Sequence, residues 1–470
     1  MSDADQDVST PEDGNPYAPP DHTPSGDAPA APRRGSLLVI FLTVFIDLLG
    51  FGIVLPLLPI YAEHFAELHD LSAQQTGWLI GLLMSSFSAM QFFFLPIWGR
   101  LSDRYGRRPI LMIGLAASTI FYFLFGVAAV WRSLAGLFVA RIGAGIAGAT
   151  ISTAQAYIAD TTTKESRAKG MALIGAAFAL GFTLGPLLGA SALLAGGKVA
   201  LSPWPGYVAS ALSGMALLLA VFKLPESRQP GSHAAQRSLF DRSALRAALS
   251  TPSVALLLAT SCVAVFSFAN FESTLSLQIE QIVEQRGEGA AESGILGALV
   301  RRIESWGYTE QDDIVQIVVL AAFAYLGIVL TLAQGFLVRR LAGRMTEGAM
   351  ATFGAATAIV GFLCLAWSAE QGDFTQLLWA MALEVTGFAF VNPSLQSLIS
   401  RRTDPEQQGG ILGLGQSATS LARILGPVFG LRLFAQSPAS PYWAAAGLLL
   451  VGLAMIVVSV RAGRDFPAAT

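Results

Sequence analysis

Residues 99–111 read GRLSDRYGRRPIL. Gly99 and Gly106 suit a tight turn and a close approach of helices. Asp103 stands among Arg104, Arg107 and Arg108, so the stretch is a compact cluster of charge. On either side lie apolar runs, approximately 76–98 and 109–130. A helix needs about 20 apolar residues to cross a bilayer. A short charged turn between two such runs is the rim between two membrane helices.

The same pattern extends along the chain. Hydrophobic residues make up 53% of the 470 positions and charged residues 13%. A soluble domain carries roughly 25% charged residues, so this chain has too little charge to cover a water-facing surface of its size. Twelve spans are expected, approximately 37–62, 76–98, 109–130, 133–158, 168–194, 206–224, 253–278, 312–337, 347–369, 374–398, 408–432 and 440–461. The class is an all-α membrane protein with twelve transmembrane helices. Residues 1–36, rich in Pro, Asp, Ala and Gly up to Arg33 and Arg34, are expected to form a disordered cytoplasmic tail. Cys262 and Cys364 lie inside apolar segments, which excludes a disulfide framework. The four histidines fall outside the expected spans, and no His/Cys cluster has metal-ligand spacing. Neither a metal nor a cofactor is expected. The net charge of -3 speaks against a nucleic-acid partner.

Basic residues collect in cytoplasmic loops. With the N-terminus inside, 21 of the 29 lysines and arginines fall on the cytoplasmic side and six on the outer side, alternating loop by loop. An odd span count would break that alternation, so both termini are expected to be cytoplasmic. Arg141 and Arg423 remain, both within spans. The longest cytoplasmic connection, 225–252, divides the chain into a first bundle, 37–224, and a second, 253–462, followed by a cytoplasmic tail, 463–470. The halves repeat weakly: Glu165…Leu184-Gly185-Pro186…Gly189 recurs as Glu406…Leu425-Gly426-Pro427…Gly430. Two parallel repeats with a site between them near the midplane are a transporter plan. An extended outer loop, about 279–311, carries Ile295, Leu296, Leu299, Val300, Ile303 and Trp306 at helical spacing, as in an interfacial amphipathic helix.

The order Gly99-x-Leu101-x-Asp103-Arg104-x-Gly106-Arg107-Arg108 resembles the signature between helices 2 and 3 of the major facilitator superfamily. RIGAGIAGAT (141–150) with AYIAD (156–160), and FIDLLGFGIVLPLLPIYA (45–62), look like its drug:proton antiporters, within them the tetracycline-efflux branch. GFTLGPLLGA (181–190) resembles the antiporter motif of helix 5, carried here by Gly181, Gly185, Pro186 and Gly189, with Ala190 replacing its last glycine. The resemblance implies two six-helix pseudo-symmetric bundles. It also implies a gating cluster of Gly99, Asp103, Arg104, Gly106, Arg107, Arg108 and Asp160, in which Arg107 approaches Asp160 and Asp103 meets the start of helix 11. The chain departs from tetracycline exporters in lacking a histidine in the second membrane half.

Ionisable groups inside spans cost about 2.5–3.5 kcal/mol on insertion scales, so they persist mainly in cavities, pairs or proton pathways. Asp47, Glu272 and Glu384 qualify as candidates for proton coupling or substrate binding; Asp47 also matches the family's helix 1 acid. The resemblance gives Arg141 a cavity-facing role in coupling. Gln91, Gln155, Asn270, Gln334, Asn392 and Gln416 are candidate cavity liners.

The expected function is a proton-driven antiporter exporting a small hydrophobic or cationic compound. It would act as a monomer in a cell membrane, with a bacterial inner membrane the expected setting. The alternatives are a metabolite symporter or facilitator, and a non-transporting receptor or scaffold. No nucleotide loop or nucleophile–base motif points to an enzyme. The topology is tested by single cysteines introduced into a background lacking Cys262 and Cys364. Positions within 225–252 should react with an impermeant thiol reagent only from the cytoplasmic side.

Overall fold

The structure is a computed structural model that describes residues 34–68, 70–162, 167–196, 201–227, 246, 250–287, 294–342, 344–403 and 408–463. Residues 1–33, most of the 225–252 connection and 464–470 lie outside these. The described residues are almost wholly helical, with no β-strand among them. Twelve long helices follow in order: α1 (Leu37–Glu67), α2 (Ala73–Tyr105), α3 (Arg107–Val130), α4 (Leu134–Thr161), α5 (Arg167–Gly196), α6 (Trp204–Lys223), α7 (Pro252–Gly287), α8 (Gln311–Leu341), α9 (Glu347–Gln371), α10 (Phe374–Arg401), α11 (Gln408–Phe434) and α12 (Ser440–Ala462). Eleven are long and apolar enough to cross a membrane. The other, α11, is 27 residues long but diluted by glycines, Gln416 and Arg423.

Local chemistry sets the helix ends. Ser72 and Gln75 form a reciprocal capping box at the start of α2, which satisfies two otherwise orphaned N–H groups. Ser133, Thr346 and Asp373 cap α4, α9 and α10 through their side-chain oxygens. Two expected loops shrink. The stretch 99–105 forms about the last two turns of α2, and the reversal into α3 takes the single residue Gly106, whose φ of 101° suits glycine. A cap explains this economy: the Glu226 carboxylate accepts hydrogen bonds from the backbone N–H groups of Arg107 (2.9 Å) and Arg108 (3.1 Å). It thereby neutralises the positive end of α3. The expected outer loop, 279–311, is also partly helical. Helix α7 continues to Gly287, and a short helix, Ile295–Ser305, packs Leu296 and Ile303 inward while Ile295 and Trp306 stay exposed. Helix α1 likewise runs on to Glu67 and takes in His64, beyond the expected end at 62.

The helices form two bundles of six. In the first, α1 packs on α5 and α6, and α3 on α4 and α6; in the second, α7 packs on α11 and α12, and α9 on α10 and α12. Lipid gives helices no hydrophobic reason to associate, so small residues that admit close backbone contact do much of the joining. Gly52 of α1 meets Gly181 and Gly185 of α5 backbone to backbone.

Two equivalent crossings join the bundles, α2 on α11 and α5 on α8. At the first, Gly77 and Gly81 abut the backbone at Leu431 and Val428, and the Ser85 hydroxyl donates to the Ile424 carbonyl. At the second, Gly327 abuts Thr183, Gly189 faces Leu320, and the Thr183 and Thr331 hydroxyls lie 3.0 Å apart. Ser276 donates to the Pro56 carbonyl (2.8 Å) and Tyr308 to the Leu194 carbonyl (2.5 Å) in the same region.

A Cβ at Gly185 would lie 2.7 Å from the Gly52 backbone, whereas one at Gly447 would meet nothing within 4 Å. Gly185→Val should therefore destabilise the protein by about 1–3 kcal/mol, the range for overpacking. Gly447→Val should shift the thermal midpoint of the solubilised protein much less.

Candidate transport cavity

One cavity of about 900 Å³ lies between the bundles. Its lining begins beside the inter-bundle crossings, at Met84 and Leu326, and extends toward the end that carries 99–108. On α2 the crossing uses Gly77, Gly81 and Ser85, and the cavity uses Phe87, Gln91 and Leu95. On α8 the crossing uses Leu320 and Gly327, and the cavity runs on to Gln334 and Val338. Gly99, Gly335 and Gly413, farther in the same direction, each face open space. Among the described residues the bundles are thus joined at one end, and the cavity extends toward the end bearing the arginine-rich turn. The Ala333–Val338 stretch of α8 is a π-helix, an irregularity that recurs at functional sites. It presents Gln334 and Val338 to the cavity.

Four formally charged side chains line this space: Asp47 (α1), Arg141 (α4), Glu272 (α7) and Arg423 (α11). Asp47 accepts a hydrogen bond from the Ser213 hydroxyl (2.9 Å) and another from Ser118. Arg141 is only 5% exposed, and its guanidinium lies over the rings of Phe87 (4.5 Å) and Phe51 (5.4 Å). Glu272 lies in the field of two cations, Arg423 more strongly than Arg141. Aromatic surface completes the walls, with Phe51, Phe87 and Phe182 on one side and Phe268 stacked on Phe388 at 4.1 Å on the other.

Of the sequence candidates, Asp47, Arg141 and Glu272 are brought together and Glu384 is not. Glu384 is 1% exposed, packed against the Gly361 backbone inside the second bundle, and does not line the cavity. Gln91, Gln155, Gln334, Asn392 and Gln416 do line it. Asn270 instead donates to the Pro441 carbonyl (3.0 Å) and packs on Gly430. Arg423 and Tyr122 are cavity residues the candidate list omitted. The half-repeat register was the available signal, since it sets Arg423 at the counterpart of the cavity residue Phe182.

At the rim, the largely covered Arg107 is the hub. It pairs with Asp103 (2.6 Å) on α2 and Asp160 (3.0 Å) on α4, and donates to the Ser102 hydroxyl (2.6 Å). Arg108 donates to the Val221 carbonyl of α6 (2.6 Å). Arg104 lies over the Tyr105 ring. All these ties stay within the first bundle. Asp103 is engaged by Arg107, and residues 404–407, just before α11, lie outside the described residues. Gly181 and Gly185 serve the α1 crossing, Gly189 serves the α8 crossing, and Pro186 lies between them inside α5.

Comparison with known proteins places this architecture. The model of the Major Facilitator Superfamily matches residues 40–427 and, in a second match, 289–468. The chain is 32% identical to the class C tetracycline resistance protein of Escherichia coli over 433 residues, covering 92% of this chain and 97% of that protein. It is 29% identical to the mouse protein "Major facilitator superfamily domain-containing protein 10", covering 88% of each. Among solved structures, the human organic anion transporter MFSD10 superposes with a TM-score of 0.57 at 26% identity, covering 90% of this chain and 99% of that one. Twelve helices in two equivalent bundles, a cavity between them and a family match across nearly the whole chain lead to one assignment: the protein belongs to the Major Facilitator Superfamily of membrane transporters.

Proposed function

We propose that the protein is a proton-coupled antiporter that exports a small hydrophobic compound by alternating access. One observation carries this reading: an aromatic-walled cavity, built by both bundles, holds an acid, Asp47, and extends toward the basic end of the molecule. By the positive-inside rule that end is cytoplasmic, so both termini are cytoplasmic and the cavity extends toward the side where an exporter loads. The setting is a cell membrane, a bacterial inner membrane, and the protein acts as a monomer. The names of the similar proteins agree with export, being tetracycline resistance proteins and a multidrug resistance protein of Bacillus subtilis. This is transport without covalent chemistry, and so not an enzyme.

The cycle follows from the geometry. Substrate enters from the cytoplasm, and Asp47 releases its proton on that side. The α2–α11 and α5–α8 crossings then part and the basic end closes. In that state Asp103 leaves Arg107 for the start of α11, where a helix N-terminus favours a carboxylate. Substrate leaves outward, an outer proton binds Asp47, and the bundles rock back. Inward movement of each charge contributes about 2.3 kcal/mol per 100 mV. Glu384, walled off from the cavity, is the weaker coupling candidate.

Asp47→Asn keeps the shape of the side chain and its hydroxyl partners but cannot exchange a proton. It should abolish uphill export in energised inverted vesicles while leaving downhill substrate exchange largely intact at matched expression. Glu384→Gln should retain more uphill export than Asp47→Asn. Full uphill transport by Asp47→Asn, Glu384→Gln and the double variant would exclude both acids as the coupling groups.

A further inference from the structure

Arg141 and Arg423 enter the cavity from opposite bundles. Neither guanidinium reaches a carboxylate at ion-pair distance among the described residues. Arg141 is nine-tenths buried, its Nε has no hydrogen-bond partner among the described residues, and its guanidinium lies over two phenylalanine faces. Arg423 projects into the open space of the cavity. An unpaired cation in such a setting is costly unless something compensates it. The acids of the cavity compensate only in part. Asp47 is engaged by the Ser213 and Ser118 hydroxyls, and Glu272 answers two arginines with one carboxylate.

We propose that the transported compound is a planar aromatic anion, a carboxylate or sulfonate held between Arg141 and Arg423. This rests on the reading of the cavity as the substrate site. The guanidinium fork matches the two oxygens of such a group. A flat ring beside the anion lies among Phe51, Phe87, Phe268 and Phe388, which line the same cavity. The bound anion competes with Glu272 for both guanidiniums. Because the arginines come from different bundles, the ligand itself joins the two walls. Asp47, held by hydroxyls and not by arginine, stays free for the proton exchange proposed above.

The test uses three probes of one shape: 2-naphthoate, 2-naphthylmethylammonium and 2-naphthalenemethanol, radiolabelled. Their equilibrium binding to the purified full-length protein is measured by scintillation proximity against empty micelles. The wild type should prefer naphthoate over the other two by about ten- to a hundredfold, the equivalent of one charge-assisted hydrogen bond. Arg141→Gln and Arg423→Gln should each erase that preference, and Arg423→Lys should keep part of it. Glu272→Gln removes the competing carboxylate and should tighten naphthoate about tenfold relative to the neutral alcohol. A loss of packing would not produce that gain, so this variant decides the matter even where an arginine variant fails to fold. Equal binding of naphthoate and the ammonium probe, or no gain from Glu272→Gln, overturns the anion assignment while leaving the cavity as the substrate site. Failure of all three probes to bind overturns both the anion assignment and the cavity reading.

Discussion

Close backbone approach through glycine is the constraint on which this structure depends. Water is absent from the bilayer core, so burying a leucine against another helix gains little over burying it in lipid. What holds helices together is contact at short range, and that requires side chains small enough to let two backbones meet. Gly52, Gly181 and Gly185 do this between α1 and α5, and Gly77, Gly81 and Gly327 do it between the bundles. The bundles therefore touch along a few small-residue crossings at one end. The cavity lies beside these crossings.

The rim charges act on a different scale. Arg107 joins α2 to α4, Arg108 reaches the end of α6, and Glu226 caps α3. Each tie is partly exposed and individually weak, since exposed ion pairs are worth roughly 0–1 kcal/mol. Together they give the first bundle a braced edge at the basic end of the molecule. A braced edge suits rigid-body rocking, because a bundle that moves as a unit must not fray where it leaves its partner.

Inside the cavity the charges are few and each has a different kind of neighbour. Asp47 meets hydroxyls, Arg141 meets aromatic faces, and Glu272 meets the fields of both arginines. Such differences separate the roles that four similar-looking intramembrane residues can play. Glu384 is not among the residues that line the cavity and forms no ion pair among the described residues. Its backbone packs against Gly361 of α9, and its Oε2 is buried without a hydrogen-bond partner among the described residues, away from the cavity lining.

Much of this was legible in the chain. Hydrophobic run length and charge content determined the membrane class, the twelve spans and the division into halves, because the demand that every backbone group be satisfied in lipid leaves helices as the spanning form for such runs. The spacing of Gly99, Asp103, Gly106 and Arg107 marked the turn and its family. Tertiary structure alone decided at which end the bundles are joined and which charges meet. Residues on α7 and α10 show the reason. In a soluble helix the polar face announces itself by period, but a helix between lipid and protein is apolar on both sides. Nothing local distinguishes Glu272, which turns to the cavity, from Glu384, which turns into its bundle. Glu226 was equally silent, a lone acid after α6 whose partners on α3 lie more than a hundred residues earlier in the chain. Run length is a property of the segment, whereas the direction in which a side chain points is settled by the neighbour against which its helix packs.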